Sequence, residues 1–207
     1  MKHPIVLAIT GASGVIYGQR LLHALLMSEI EVHLTISDSG RLVLEHELGI
    51  TIDLNRFSIE SLLGESTSAI SQQALAGVHY HHYKDFMTPI ASGSHKTSGM
   101  IVCPCSGSTL SGIAAAASQN LVQRAADVHL KERRPLILVP RETPLSMIQL
   151  DNLRTAATAG ATILPASPGF YHGYRSVDDL VNFIVARILD QLDIEHALMK
   201  RWGADDS

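Results

Sequence analysis

Glycine, hydroxyl and guanidinium groups gather at four places in this sequence, and that mix suits a phosphate ester. The places are Gly11-Ala12-Ser13-Gly14, Ser37, Ser106-Gly107-Ser108-Thr109 and Arg141-Glu142. The first follows the apolar run Ile5-Val-Leu-Ala-Ile9 and precedes residues with helical spacing. Backbone N–H groups left without partners at a helix start, together with the positive helix end, attract an anion. Glycines let the backbone come close to a phosphate, and Ser13 adds a hydroxyl at the same spot. Neither Gly-x-Gly-x-x-Gly nor Gly-Lys-Ser/Thr occurs, so this turn is not a dinucleotide fingerprint or a phosphate loop. A plain strand-to-helix turn is the competing reading.

Further groups with chemical potential lie outside these stretches. The basic residues Arg124, Lys131, Arg133 and Arg134 cluster around one predicted helix. Lys131, Arg133 and Arg134 read equally as charges that complement a helix carboxyl end. Arg141 follows a wholly apolar run, where a charge is costly without an anionic partner. Glu142 beside it suits proton transfer or an ion pair. By itself Tyr171 reads as a packed loop aromatic, and Arg187, three residues before Asp190, as a surface pair. Metal binding is not expected: Cys103-x-Cys105 lacks the usual zinc spacing, and His79, His81 and His82 form no helical pair. Asp178-Asp179 is followed by Asn182, which leaves the magnesium-binding Asp-Asp-x-x-Asp pattern incomplete.

Those groups need a scaffold, and the hydrophobic pattern supplies one. Strands are expected at Ile5–Ile9, Glu31–Ile36, Val78–Tyr83, Gly99–Cys103, Pro135–Val139 and Ala161–Leu164. Helices are expected at Val15–Ser28, with Tyr17, Leu21 and Leu25 on one stripe, at Arg41–Glu47 behind a Ser37-Asp38-Ser39 cap, as a turn at Ser58–Gly64, as a short helix at Thr67–Ala76, from Pro104 to about Ala117, at Leu121–Glu132 and at Ser146–Ala159. A last one follows Ser176-Val-Asp-Asp179, which has capping-box spacing, and turns Val177, Leu180, Val181, Ile184, Ile188 and Leu192 to one face. Alternation of strands and helices predicts an α/β protein: a three-layer α/β/α sandwich around a Rossmann-like or flavodoxin-like parallel sheet. Ligands bind outside the carboxyl ends of such strands, which would gather the four stretches in one place.

The bulk composition narrows the class. A length of 207 residues suits one domain over 1–207, with a tail from about 196. A net charge of -4 and 5% aromatic content argue against nucleic-acid binding. No apolar run is long enough to span a membrane, and two closely spaced cysteines point to a reducing compartment, so a cytoplasmic protein is expected.

Four longer stretches carry a resemblance. They are Cys103-Pro-Cys-Ser-Gly-Ser-Thr-Leu-Ser-Gly112, Arg124-Ala-Ala-Asp-Val-His-Leu-Lys-Glu-Arg-Arg-Pro135, Val139-Pro-Arg-Glu-Thr-Pro-Leu-Ser146 and Gly169-Phe-Tyr-His172. With Thr10-Gly-Ala-Ser-Gly14 and Arg201-Trp-Gly203 they make the chain similar, over nearly its whole length, to the UbiX family of flavin prenyltransferases. The resemblance implies that reduced FMN is alkylated by dimethylallyl phosphate, without metal, to give prenylated FMN for UbiD-type decarboxylases. It also implies a homo-oligomer, a dodecamer. FMN would contact Gly11, Ala12, Ser13, Ser37, Ser106, Gly107, Ser108, Thr109 and Arg141. Tyr171, Arg187, Lys131, Arg124 and Glu47 would serve dimethylallyl phosphate, with Arg141 sharing its phosphate and Phe86 neighbouring the pocket. Glu142, Ser13 and Lys131 would be catalytic. Residues 50–90 match this family poorly.

Two other readings share the donor set. Pro104-Cys-Ser-Gly-Ser-Thr109 resembles the Pro-Ala-Ser-Ala-Asn-Thr motif of flavin-dependent cysteine decarboxylases, but Pro140-Arg-Glu-Thr143 stands where those carry Pro-x-Met-Asn. A non-catalytic FMN carrier would need the four stretches but not Lys131, Glu142, Tyr171 and Arg187 together. A nicotinamide enzyme rests only on Asp38 after the second strand.

Overall fold

The computed structural model describes residues 3–171 and 173–199. Arg201-Trp-Gly203, most of the expected tail and His172 lie outside them. Six strands form the sheet: β1 (Ile5–Ile9), β2 (Val32–Ile36), β3 (Val78–Tyr80), β4 (Gly99–Cys105), β5 (Leu136–Pro140) and β6 (Thr162–Ile163). Among the described residues eight α-helices accompany them: α1 (Val15–Met27), α2 (Asp38–Leu48), α3 (Ile59–Leu63), α4 (Gln72–Ala76), α5 (Gly107–Ala114), α6 (Leu121–Lys131), α7 (Met147–Thr158) and, after the last strand, α8 (Val177–Asp190). The strands lie in the order β3-β2-β1-β4-β5-β6, all parallel. That is the Rossmann order of the doubly wound folds, with the order reversing between β1 and β4.

Strands β1, β2, β4 and β5 are buried along their whole length, as a sheet covered on both faces requires. Alternate residues feed two cores. Ile5, Leu7 and Ile9 pack with α1, α2, α3, α4 and α8, while Val6 and Ala8 pack with α5, α6 and α7. Polar side chains fix where the helices begin. Ser37, Ser106, Asn120, Ser146 and Ser176 each accept a backbone N–H from the first turn that follows, and Ser146 and Ser176 complete capping boxes with Gln149 and Asp179.

Several expectations need correction. Pro104 does not end β4; the strand continues to Cys105 with a register shift after Val102. β3 stops at Tyr80 rather than Tyr83, and the stretch before α4 is a 3₁₀ turn at Gly64–Ala69. Val177 is 70% exposed, because it starts α8 before that helix reaches the core.

Two buried histidines couple this fold to pH. His33 Nδ1 lies 2.7 Å from His81 Nε2, with the rings of His79 and His95 within 5.0 Å of its own. Burial, and then the neighbouring histidines, push its pKa down to about 3. His129, between Thr97 Oγ1 at 2.8 Å and the Ala125 carbonyl at 2.7 Å, is pushed down to about 4, chiefly by burial. Both are neutral in the native protein and ordinary in the unfolded chain. Their contribution is therefore full above about pH 6.5 and is lost as pH falls toward 4. Lowering pH from 7.5 to 5.0 should cost about 4 kcal/mol, on the order of 10 °C in melting temperature, read by thermal melts across that range.

Candidate active site

The carboxyl ends of β1, β2, β4 and β5 bring the four donor stretches together. Buried Thr10 ties β1 to α5: its hydroxyl donates to the Pro104 carbonyl at 2.7 Å and accepts the Ser106 N–H at 2.9 Å. The Ser37 N–H donates to the Ile9 carbonyl at 3.0 Å, which sets the start of α2 beside β1. Arg141, just past β5, donates from Nε to the Ser13 carbonyl at 3.2 Å. Gly11 is required here, since a side chain would run into Ser39 at the start of α2.

The two helix starts differ in what they offer. Gly14, at φ 97°, caps α1 without a side chain of its own. Its N–H and that of Val15 donate instead to Glu47 Oε2, at 2.9 and 3.2 Å. A carboxylate thus already occupies the positive end of α1. This corrects one expectation: the N–H groups of Gly14 and Val15 at the glycine turn are not free for an anion, and Glu47 stands against that turn as the cap of α1. The open site is the start of α5. Ser106 Oγ takes only the Thr109 N–H, at 3.3 Å, leaving the N–H groups of Gly107 and Ser108 without helical acceptors. A Cβ on Gly107 would meet only the Gln149 amide, at 3.5 Å, so the approach is clear. Hydroxyls of Ser106, Ser108 and Thr109 lie beside it, with Ser106 Oγ 3.2 Å from Ser108 Oγ and 3.0 Å from Thr109 Oγ1. Neutral donors with one nearby guanidinium fit a phosphate ester with a polar heterocycle.

Glu142 stands next in the chain. It is exposed; Oε1 accepts the Thr143 N–H and Oε2 accepts from Gln149 Nε2, both at 3.3 Å.

The family model described as Flavoprotein matches residues 1–189. A protein of Pseudomonas aeruginosa named flavin prenyltransferase UbiX is 48% identical over 199 residues, covering 96% of this chain and 93% of that protein. The chain belongs to the UbiX flavin prenyltransferases. Among solved structures, AnUbiX (PadA1) in complex with FMN and dimethylallyl pyrophosphate matches with a TM-score of 0.84 at 35% identity, over 100% of both chains. A dodecameric FMN-dependent UbiX-like decarboxylase of Escherichia coli O157:H7 matches with a TM-score of 0.81 at 38% identity, over 97% of this chain and 100% of that one.

The remaining residues that the UbiX resemblance singled out fall into two further groups. Tyr171 packs edge-on against Phe183 at 5.8 Å, and Phe183 and Arg187 line a cleft of about 270 Å³ beside β6. Arg187 Nη1 also pairs with Asp190 at 2.9 Å, as its spacing suggested. Arg124 and Lys131 are on α6, which ends just ahead of β5. Leu136 begins β5 opposite Met100, near the start of β4, so Lys131 lies at the amino end of the sheet. Arg141 and Glu142 lie at the other end, a strand length away. One copy of the chain therefore does not bring Lys131 to Glu142. Phe86, 43% exposed, sits in the loop after β3.

Two residues of the site escaped sequence reasoning. Tyr17, placed on the core stripe of α1, also lies beneath the turn: a Cβ on Gly14 would come within 3.0 Å of its ring and 4.0 Å of the Arg141 stem. Gln149 both completes a capping box and holds Glu142. Ser146-x-x-Gln149 was the available signal.

Proposed function

We propose that the protein transfers the dimethylallyl group of dimethylallyl phosphate to N5 and C6 of reduced FMN, giving prenylated FMN. The observation that carries this reading is the meeting of the α5 start, Ser13, Arg141 and Glu142 at one edge of the sheet. When bound, reduced FMN supplies the nucleophilic positions. Gly11, Ala12, Ser13, Ser37, Ser106, Gly107, Ser108, Thr109 and Arg141 hold it. Arg141 and Ser13 meet the departing phosphate, whose developing charge cations and directed donors stabilise without a metal. Glu142 accepts the proton released when the second bond closes. Tyr171, Arg187, Arg124 and Lys131 complete the phosphate pocket.

Because one copy separates Lys131 from Arg141, their joint service needs a neighbouring copy. A homo-oligomer like the dodecameric relative supplies one. Leu145, Met147, Ile148 and Leu150, all exposed around the start of α7, offer apolar surface for such contacts. We assign the product to a UbiD-type decarboxylase and the reaction to the cytoplasm; the free, buried Cys103 and Cys105 suit a reducing compartment.

Anaerobic incubation of the protein with reduced FMN and dimethylallyl phosphate tests this directly. Recovered flavin should carry the added five-carbon mass and a changed absorbance. Unchanged flavin would leave a carrier as the better reading. Arg141→Met should weaken FMN binding about 10- to 100-fold, the worth of one charged hydrogen bond, measured by flavin fluorescence titration.

A further inference from the structure

Arg134 read equally from sequence as a charge complementing the end of α6. Its partners are elsewhere. Past Lys131 the chain turns through Arg133 at φ 55°, and the Arg134 N–H donates to the His129 carbonyl at 2.8 Å. The half-buried guanidinium then leaves the helix. Nη1 donates to the His95 carbonyl at 2.6 Å and Nη2 to the Gly93 carbonyl at 2.5 Å. Near the start of the same helix, Arg124 Nε donates to the Ala91 carbonyl at 3.1 Å. Alternate carbonyls of one loop, 91, 93 and 95, are thus all held by arginines of α6 and its end.

The held loop is the wall against which Lys131 rests. A Cβ on Gly93 would lie 2.8 Å from Lys131 Nζ and would overlap the Glu132 carboxylate that pairs with that ammonium. The exposed hydroxyls of Ser92 and Ser94, 2.9 Å apart, sit on the same loop. The loop has a second anchor, the His95 ring against His33 at 4.9 Å. Glu132 is drawn below the usual carboxylate range first by Lys131 and, more weakly, by the charge of Arg134.

We infer that Arg134 is a positioning residue for Lys131: its fork clamps loop 91–95 onto α6 and thereby fixes where the Lys131 ammonium stands. This rests on the reading above that Lys131 neutralises the phosphate of dimethylallyl phosphate. A planar fork reaches two carbonyls at once, which a lysine point charge does not. The clamp therefore depends on geometry and not on charge alone.

The test uses the full chain in its native assembly, with steady-state prenylation of reduced FMN at varied dimethylallyl phosphate. Lys131→Met should raise KM for dimethylallyl phosphate on the order of tenfold, as loss of a charged contact does. Arg134→Met and Arg134→Lys should both raise it severalfold, with kcat and FMN affinity nearly unchanged. Gly93→Ala, which disturbs Lys131 from the loop side with Arg134 intact, should do the same and serves if the Arg134 variants do not fold. A normal KM in Arg134→Met, or a lowered melting temperature or kcat with KM unchanged, would overturn the inference and make Arg134 purely structural. A normal KM in Arg134→Lys would overturn the fork. If Lys131→Met itself left KM unchanged, the reading of Lys131 would fall first, and the clamp with it.

Discussion

Replacing Glu142 by Gln should lower turnover between about 10²- and 10⁴-fold while FMN stays bound. That range is what a positioned proton acceptor contributes. The amide keeps the size and shape of the side chain but loses the basic oxygen. The groups assigned to FMN, at the α5 start and at Arg141, are not touched, so flavin affinity should change little. The neighbours of Glu142 are also neutral: the Thr143 N–H and the Gln149 amide, each at 3.3 Å, place the carboxylate without pairing its charge. Single-turnover mixing under anaerobic conditions, with the flavin mass followed in time, separates binding from conversion. A fall of less than tenfold would give the proton to another acceptor, the released phosphate being the nearest chemically.

Gly18→Val should destabilise the fold by about 3 kcal/mol or more, at the upper end of overpacking costs. Gly18 is buried where α1 crosses the sheet. A Cβ there would overlap the Cys103 carbonyl oxygen and lie 3.1 and 3.3 Å from Cγ1 and Cδ1 of Ile9. Helix propensity alone favours a side chain other than glycine by up to about 1 kcal/mol. The clash is larger and falls on strand backbone, which has no room to move. Gly18→Ala tests the sign with a smaller group and should still lose stability on balance, by about 1 kcal/mol. Both are read by chemical denaturation. Since α1 begins at the site, Gly18→Val should also loosen FMN; equal or greater stability in that variant would mean that α1 does not sit this close to β4.

The sheet was legible because its central strands are uninterrupted apolar runs, a pattern that burial on both faces imposes. Pro135-Leu-Ile-Leu-Val139 and Ile5–Ile9 could hardly be anything else. Helix starts were legible where Ser37 and Ser176 precede residues that suit a first turn. The path of residues 50–98 was not, since its short helices are held by packing on α1 and its 3₁₀ turn at Pro89–Ala91 by packing on α6, and not by their own periodicity. Within the site, Arg141 and the α5 start stood out by type and position. The occupant of the α1 N-terminus did not: Glu47 is 33 residues from Gly14 in sequence, and no local pattern announces a contact made through folding. The same holds for Arg134, whose partners lie 39 and 41 residues away.

With Lys131 at one end of the sheet and Glu142 at the other, two crippled genes ought to rescue one another. In pure form, subunits lacking the lysine would be slow at scarce dimethylallyl phosphate, and subunits lacking the glutamate slow at any supply of it. Co-expressed, they would form mixed assemblies in which some junctions unite an intact lysine from one parent with an intact glutamate from the other. Recovery of prenylation in such hybrids, and its absence when both lesions share one chain, would show that the working unit is a boundary between chains.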